Sequence, residues 1–189
     1  MRLFASLAAT AILFGACGGT AAAPSPTPAP STPAPTPTPS PTPQTKFTFV
    51  TDLKSANEVP PVSNAEAVCS GKGTFTLNTT KDASGTITAA TGSFEITVTG
   101  CPANTPIILW HVHKAAAGVA GGVVVPGKTD AANPLVLASG ATTSPFTTAN
   151  VTVDPAVAKD IIAGPSGFYI NVHSTSNPGG VIRGQLNAG

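Results

Sequence analysis

Beyond residue 46, apolar and polar positions alternate in short runs separated by turn residues. Lys46-Phe-Thr-Phe-Val-Thr-Asp-Leu53 opens the pattern, and Gly73-Thr-Phe-Thr-Leu77 repeats it with Phe75 and Leu77 inward. Phe94-Glu-Ile-Thr-Val-Thr99 sets Phe94, Ile96 and Val98 against Glu95, Thr97 and Thr99. A period of two is the signature of a strand with one face buried. Further strands are predicted at 106–113, 123–125, 135–137, 146–153, 168–173 and 181–186, the last two joined by the turn-forming Ser176-Asn-Pro-Gly-Gly180. Asp154-Pro155 predicts one helix over 156–163, with Asp as N-cap and Pro at the first helical position; Gly164-Pro165 ends it. The expected fold is all-β: an antiparallel immunoglobulin-like or superoxide-dismutase-like β-sandwich of roughly eight to ten strands with one short helix.

Two cysteines, Cys69 and Cys101, fall in this part of the chain and bear on its topology. In an exported domain two thiols most simply form one disulfide, the alternatives being buried free thiols or a thiolate copper ligand. A blue-copper site also wants an axial methionine, and Met1 is the one methionine present. A disulfide needs Cα atoms within about 7 Å. Residues 86–100 satisfy this as one long strand, bent near Thr91-Gly92 and paired with 71–78 through the turn Asp82-Ala-Ser-Gly85. Two separate strands in 86–100 would leave the cysteines at opposite ends of the sheet.

The N-terminal quarter has a different composition. Arg2, the uncharged apolar run Leu3 to Phe14 and the small residues Gly15-Ala16 before Cys17 form a secretory signal, too short for a mature membrane span. The small-small-Cys ending resembles a bacterial lipobox, so Cys17 is the expected lipidation site, with ordinary cleavage nearby as the alternative. Lipid at Cys17 makes the membrane a partner and predicts an extracytoplasmic protein anchored to the cell envelope; the absence of Asp after Cys17 favours the outer membrane where the cell has one. Residues 18–45 carry no charge, and from Pro24 to Pro43 about every second residue is proline. Such a segment cannot join a core and predicts a polyproline II stalk reaching about 60 Å, or else a proline-rich ligand. Residues 46–189 then form one domain.

Charge excludes further classes. Of nine lysines and arginines, Arg2 lies in the leader, leaving eight against eight acids, with no basic stripe for nucleic acid. There is no serine elbow, phosphate loop or paired carboxylate signature, so binding is expected rather than catalysis.

The chain has three histidines, all in strand-like segments: His111-Val-His113 and Asn171-Val-His173. Strand alternation puts His111 and His113 on one face with Ile107 and Leu109, opposite Ile108, Trp110 and Val112. In the last hairpin it puts Tyr169, Asn171 and His173 together, with Asn171 beside Arg183 and His173 beside Val181. His111, His113 and His173 are thus candidate ligands for one zinc or copper ion, or else structural residues bonding backbone at strand ends. No other cofactor is implied. Glu58, in the stiff segment Asn57-Glu-Val-Pro-Pro61, is expected to pair with Arg183, or with Asn171 to orient a histidine.

Ser55-Ala-Asn-Glu-Val-Pro-Pro61, Gly73-Thr-Phe-Thr-Leu77, His111-Val-His113, Tyr169-Ile-Asn-Val-His-Ser174, Asn177-Pro-Gly-Gly180 and Ile182-Arg-Gly-Gln-Leu186 resemble the motifs of the CHRD domain, in the same order. The resemblance runs from about Phe47 to Leu186. It implies an extracellular β-sandwich module acting in binding or structure at the cell surface, with a protein or envelope partner. Val181 stands where the family often has glutamate, and the cysteine pair with segment 79–104 is a local addition. The His-Val-His strand also resembles that of copper–zinc superoxide dismutase, whose two-metal site needs six histidines where this chain has three. The remaining metal reading is a mononuclear zinc- or copper-binding protein for metal handling or redox defence.

Overall fold

A computed structural model of the chain describes residues 44–189. Residues 1–43, with the signal segment, the Cys17 lipidation site and nearly all of the proline-rich linker, lie outside the described residues. Ten strands and one α-helix follow in order: β1 (Gln44–Lys54), β2 (Ser70–Lys81), β3 (Ile87–Thr99), β4 (Thr105–Lys114), β5 (Gly122–Lys128), β6 (Leu135–Leu137), β7 (Phe146–Val153), α1 (Pro155–Ala163), β8 (Phe168–Ser174), β9 (Ile182–Gln185) and β10 (Asn187–Ala188). All pairings are antiparallel, in the order β5-β4-β8-β9-β1-β2-β3-β7, with β6 on β4 and β10 on β1. The layers of the sandwich are therefore one continuous sheet, curled until it is nearly a barrel. Where its ends approach, Trp110 of β4 stacks on Phe146 of β7 with ring centroids 5.8 Å apart.

The inward positions of the alternating strands form the core. Phe49, Phe75 and Phe94 run across three neighbouring strands, with centroids 6.4 and 5.0 Å apart. Leu77, Ile96, Val98, Ile170, Val172 and Leu186 complete this interior with no measurable exposure. Gly92 lets the Phe75 ring lie against β3, since a Cβ there would sit 2.6 Å from a ring carbon. Beside it, the β3–β7 register shifts between Gly92 and Phe94, the bend expected from Thr91-Gly92. The helix begins as its cap residues dictate: Asp154 accepts from the Ala156 N–H at 2.7 Å and Pro155 takes the first turn. It buries Ala158 and Ile161 against the β2–β3 side.

β3 is one strand, and Cys69 and Cys101 lie at adjacent ends of β2 and β3 with Cα atoms 4.4 Å apart, joined by a disulfide. A departure from strict alternation occurs in β4. Ile107 faces Ser174 and Leu109 faces His173, so two steps on β4 match one on β8 and Ile108 is the extra residue of a bulge. The bulge turns Ile107 into the core with Trp110 and Val112, where plain alternation had placed it beside the histidines. β10 carried no pattern of its own; it exists because Asn187 and Ala188 pair with Val50 and Phe49.

The disulfide closes a loop of 32 residues. Replacing both cysteines with serine is expected to lower the unfolding free energy by about 3.5 kcal/mol on the chain-entropy account. Urea denaturation of the two forms measures this, with circular dichroism showing the same strand content in both.

Candidate functional site

β8 is buried along its whole length, on both faces. Phe168, Ile170 and Val172 face the apolar interior, which leaves Tyr169, Asn171 and His173 on the other side. The register sets His111 of β4 opposite Asn171, His113 opposite Tyr169, and Arg183 of β9 opposite Asn171. This polar face is covered by segments 55–61, 115–122 and 175–180. Among the described residues, it holds the group of three whose ligand-capable atoms all lie within 4.8 Å of one another: His111, His113 and His173. The expected convergence of the three imidazoles is present.

Hydrogen bonds define which nitrogens point inward. His113 donates Nδ1–H to Gly121 O at 2.8 Å, and His173 donates Nδ1–H to Pro178 O at 2.9 Å. A carbonyl can only accept, so both rings carry their proton on Nδ1 and leave Nε2 bare. The Nε2 of His113 is buried without a partner. His173 Nε2 lies 2.8 Å from His111 Nε2, and since the former is an acceptor, His111 donates. An imidazole that gives one N–H to a backbone carbonyl and turns the other nitrogen into a site is the usual outer-shell arrangement of a metal ligand. The three rings could hold a zinc or copper ion.

Tyr169 lies parallel to His113 with centroids 4.7 Å apart, and the Arg183 guanidinium stacks on the Tyr169 ring at 3.5 Å. Arg183 does not close a hydrogen-bonded pair with Glu58. Its Nη2 donates to Ala116 O at 3.0 Å and Val119 O at 2.7 Å, fastening the small-residue loop Ala115–Gly122 over the face. Gln185 adds a bond to Ala115 O at 3.0 Å, and Tyr169 Oη accepts from the Gly121 N–H at 3.1 Å. The backbone of a loop without polar side chains thus offers fixed acceptors that a sequence pattern does not reveal.

Glu58, 6 % exposed, has an oxygen, Oε1, buried without a partner. Its Oε2 and the Asn171 amide crowd the same point beside Gly180, where a Cβ would lie 2.5 to 2.7 Å from each. Glu58 is not one of the converging group; it stands on the Asn171 side of the face. Glu66 is a buried acid that the sequence did not single out. It accepts from Ser174 Oγ and Asn177 Nδ2 and so pins the turn that carries Pro178 O. Its signal was the Asn64-Ala-Glu66 cap, in which Asn64 accepts from the Glu66 N–H at 2.9 Å. Val181 is fully buried.

Burial makes ionisation unfavourable here. It pushes His111 down to about 3, repulsion from His173 and His113 adding to the effect. It also lowers His173 and His113, against the opposing bonds to Pro178 O and Gly121 O. Burial raises Glu58 to about 7, opposed by the Arg183 charge and the Asn171 amide.

Comparison with known proteins gives one result: a family model described as CHRD domain matches residues 49–186. No curated protein and no solved structure matches the chain.

The two kinds of shift give stability limbs of opposite sign. Unfolded histidines titrate near 6.5 and folded His111 near 3, so the unfolded chain binds more protons in between. That contribution is full above about pH 6.5 and is lost as pH falls. Folded Glu58 holds its proton up to about 7 against 4.5 unfolded, so its contribution is full below 4.5 and is lost as pH rises through 7. Glu58→Gln is therefore expected to stabilise the metal-free protein at pH 8, on the order of 1 kcal/mol after solvent screening, with little change at pH 4.5. Urea midpoints against pH check both limbs.

Proposed function

The chain belongs to the CHRD domain family, and we propose that it acts as an extracytoplasmic binding module held at the cell envelope by lipid on Cys17. CHRD domains are extracellular-type binding or structural modules. The match spans the sheet from β1 to the end of β9, so the family's character attaches to the whole folded unit. Among the described residues, no helix is long and apolar enough to cross a membrane. In this reading lipid on Cys17 is the anchor, and the proline-rich segment 18–45 is a stalk that carries the domain clear of the surface. Where the cell has an outer membrane, that membrane is the expected location.

One observation favours binding over a purely structural role: polar side chains of β4, β8 and β9 are buried together under three loops. Burying polar groups costs stability unless each is partnered, and a scaffold strand needs none of them. Glu58 Oε1, His113 Nε2 and Asn171 Oδ1 all remain buried without partners. A partner protein or envelope component that reaches the loops over this face would act through the same residues. A second reading, a zinc- or copper-handling protein, is supported by the convergence of the His111, His113 and His173 ring nitrogens.

Two outcomes are expected. Metabolic labelling with a radioactive fatty acid marks the wild-type protein and leaves Cys17→Ala unlabelled and released from the membrane fraction. Label retained by Cys17→Ala would remove the anchor. Isothermal titration of the soluble Cys17→Ser chain with Zn²⁺ and Cu²⁺ gives one site of sub-micromolar dissociation constant, weakened at least about a hundredfold in His113→Ala. Absence of heat for both ions would leave the binding-module reading without its metal.

A further inference from the structure

The donors around the three histidines carry a charge pattern that bears on which ion fits, an inference that rests on the metal-binding reading above. Every member of the converging group is an imidazole, neutral in the tautomers set by Gly121 O and Pro178 O. No carboxylate or thiolate joins it: among the described residues the cysteines are tied to each other, and Glu58 and Glu66 fall outside the group. Two charge-bearing side chains flank the face without joining the group: the Glu58 carboxyl, on the Asn171 side, and the Arg183 guanidinium, whose charge Glu58 feels. Arg183, 2 % exposed, stacks on Tyr169, which stacks on His113, and its named bonds go to neutral oxygens of Ala116, Val119 and Gln185.

An ion entering this site brings its own charge into a buried group of three neutral imidazoles, and buried charge without an anionic ligand is costly. A divalent ion adds twice the charge of a monovalent one, with no anionic ligand to offset it. Coordination number points the same way. Zinc takes four ligands and would have to recruit water or an anion for the fourth. Copper(I) accepts imidazole nitrogen and is satisfied by three donors. We propose that His111, His113 and His173 form a mononuclear site selective for copper(I), held by the three ring Nε2 atoms. His111, which now donates Nε2–H to His173, supplies its nitrogen by moving that proton to Nδ1; His113 and His173 need no tautomer change.

The test is anaerobic competition of the soluble Cys17→Ser chain for Cu(I) against a chromogenic Cu(I) chelator, alongside Zn²⁺ titration under the same buffer. The expected result is one Cu(I) per chain, bound about a hundredfold or more tighter than Zn²⁺, with X-ray absorption showing three nitrogen neighbours. His113→Gln, changed at the least buried of the three rings, should keep the wild-type strand content by circular dichroism and lose most of the affinity. Zinc bound as tightly as Cu(I), or copper with four or with two neighbours, would overturn the selectivity while leaving a metal site in place. If neither ion binds, the metal reading falls as well. A wild-type affinity in His113→Gln would overturn the ligand assignment.

Discussion

A strand buried on both faces loses stability for each polar atom it leaves without a hydrogen-bond partner, and β8 is such a strand. Its odd and even positions do different work. Phe168, Ile170 and Val172 complete an apolar interior built by the alternating residues of its neighbours. Tyr169, Asn171 and His173 go under cover on the other side, where water is largely excluded and each unpaired nitrogen or oxygen is costly. The rest of the polar face is arranged around that requirement.

Loops meet most of it with their backbones, leaving Asn171 Oδ1 and His113 Nε2 open. Segment 115–122 consists of alanine, glycine and valine, so it offers little besides carbonyls and amides, and four side chains of the face use them: His113, Tyr169, Arg183 and Gln185. On the other flank, Asn64, Glu66, Ser174 and Asn177 fix the turn from which Pro178 O reaches His173. The imidazoles end with defined tautomers as a by-product of this accounting. Two bare ring nitrogens and a third held against them are what a metal centre needs before the metal arrives. A fold that solves a burial problem in this way also builds a binding site, which connects the CHRD module's architecture to its proposed role.

Much of this was readable from the chain. Period-two runs located the major strands, Asp154-Pro155 located the helix, and the demand that Cys69 and Cys101 meet made 86–100 a single strand. The pairing of Asn171 with Arg183 followed from the hairpin turn, and the histidine grouping followed from His-Val-His plus one more strand. The bulge at Ile108 was hidden because no glycine or proline marks it; only pairing with β8 reveals that Ile107 joins the core. Pattern reasoning pairs Arg183 with Glu58 by opposite charge, and Glu58 does feel that charge, but no hydrogen bond joins the two. The actual acceptors of Arg183 are carbonyls of residues whose side chains carry no such signal. Glu66 was silent for a related reason, since its importance lies in contacts more than a hundred residues away in sequence.

The central claim is that the fold presets the tautomers of the three imidazoles, and long-range ¹H–¹⁵N correlation spectra of the metal-free protein at pH 7 test it most directly. The account predicts His113 and His173 protonated on Nδ1 alone, with bare Nε2 shifts, and His111 protonated on Nε2. Nε2-protonated His113 and His173, or rapidly exchanging tautomers at all three rings, would contradict it.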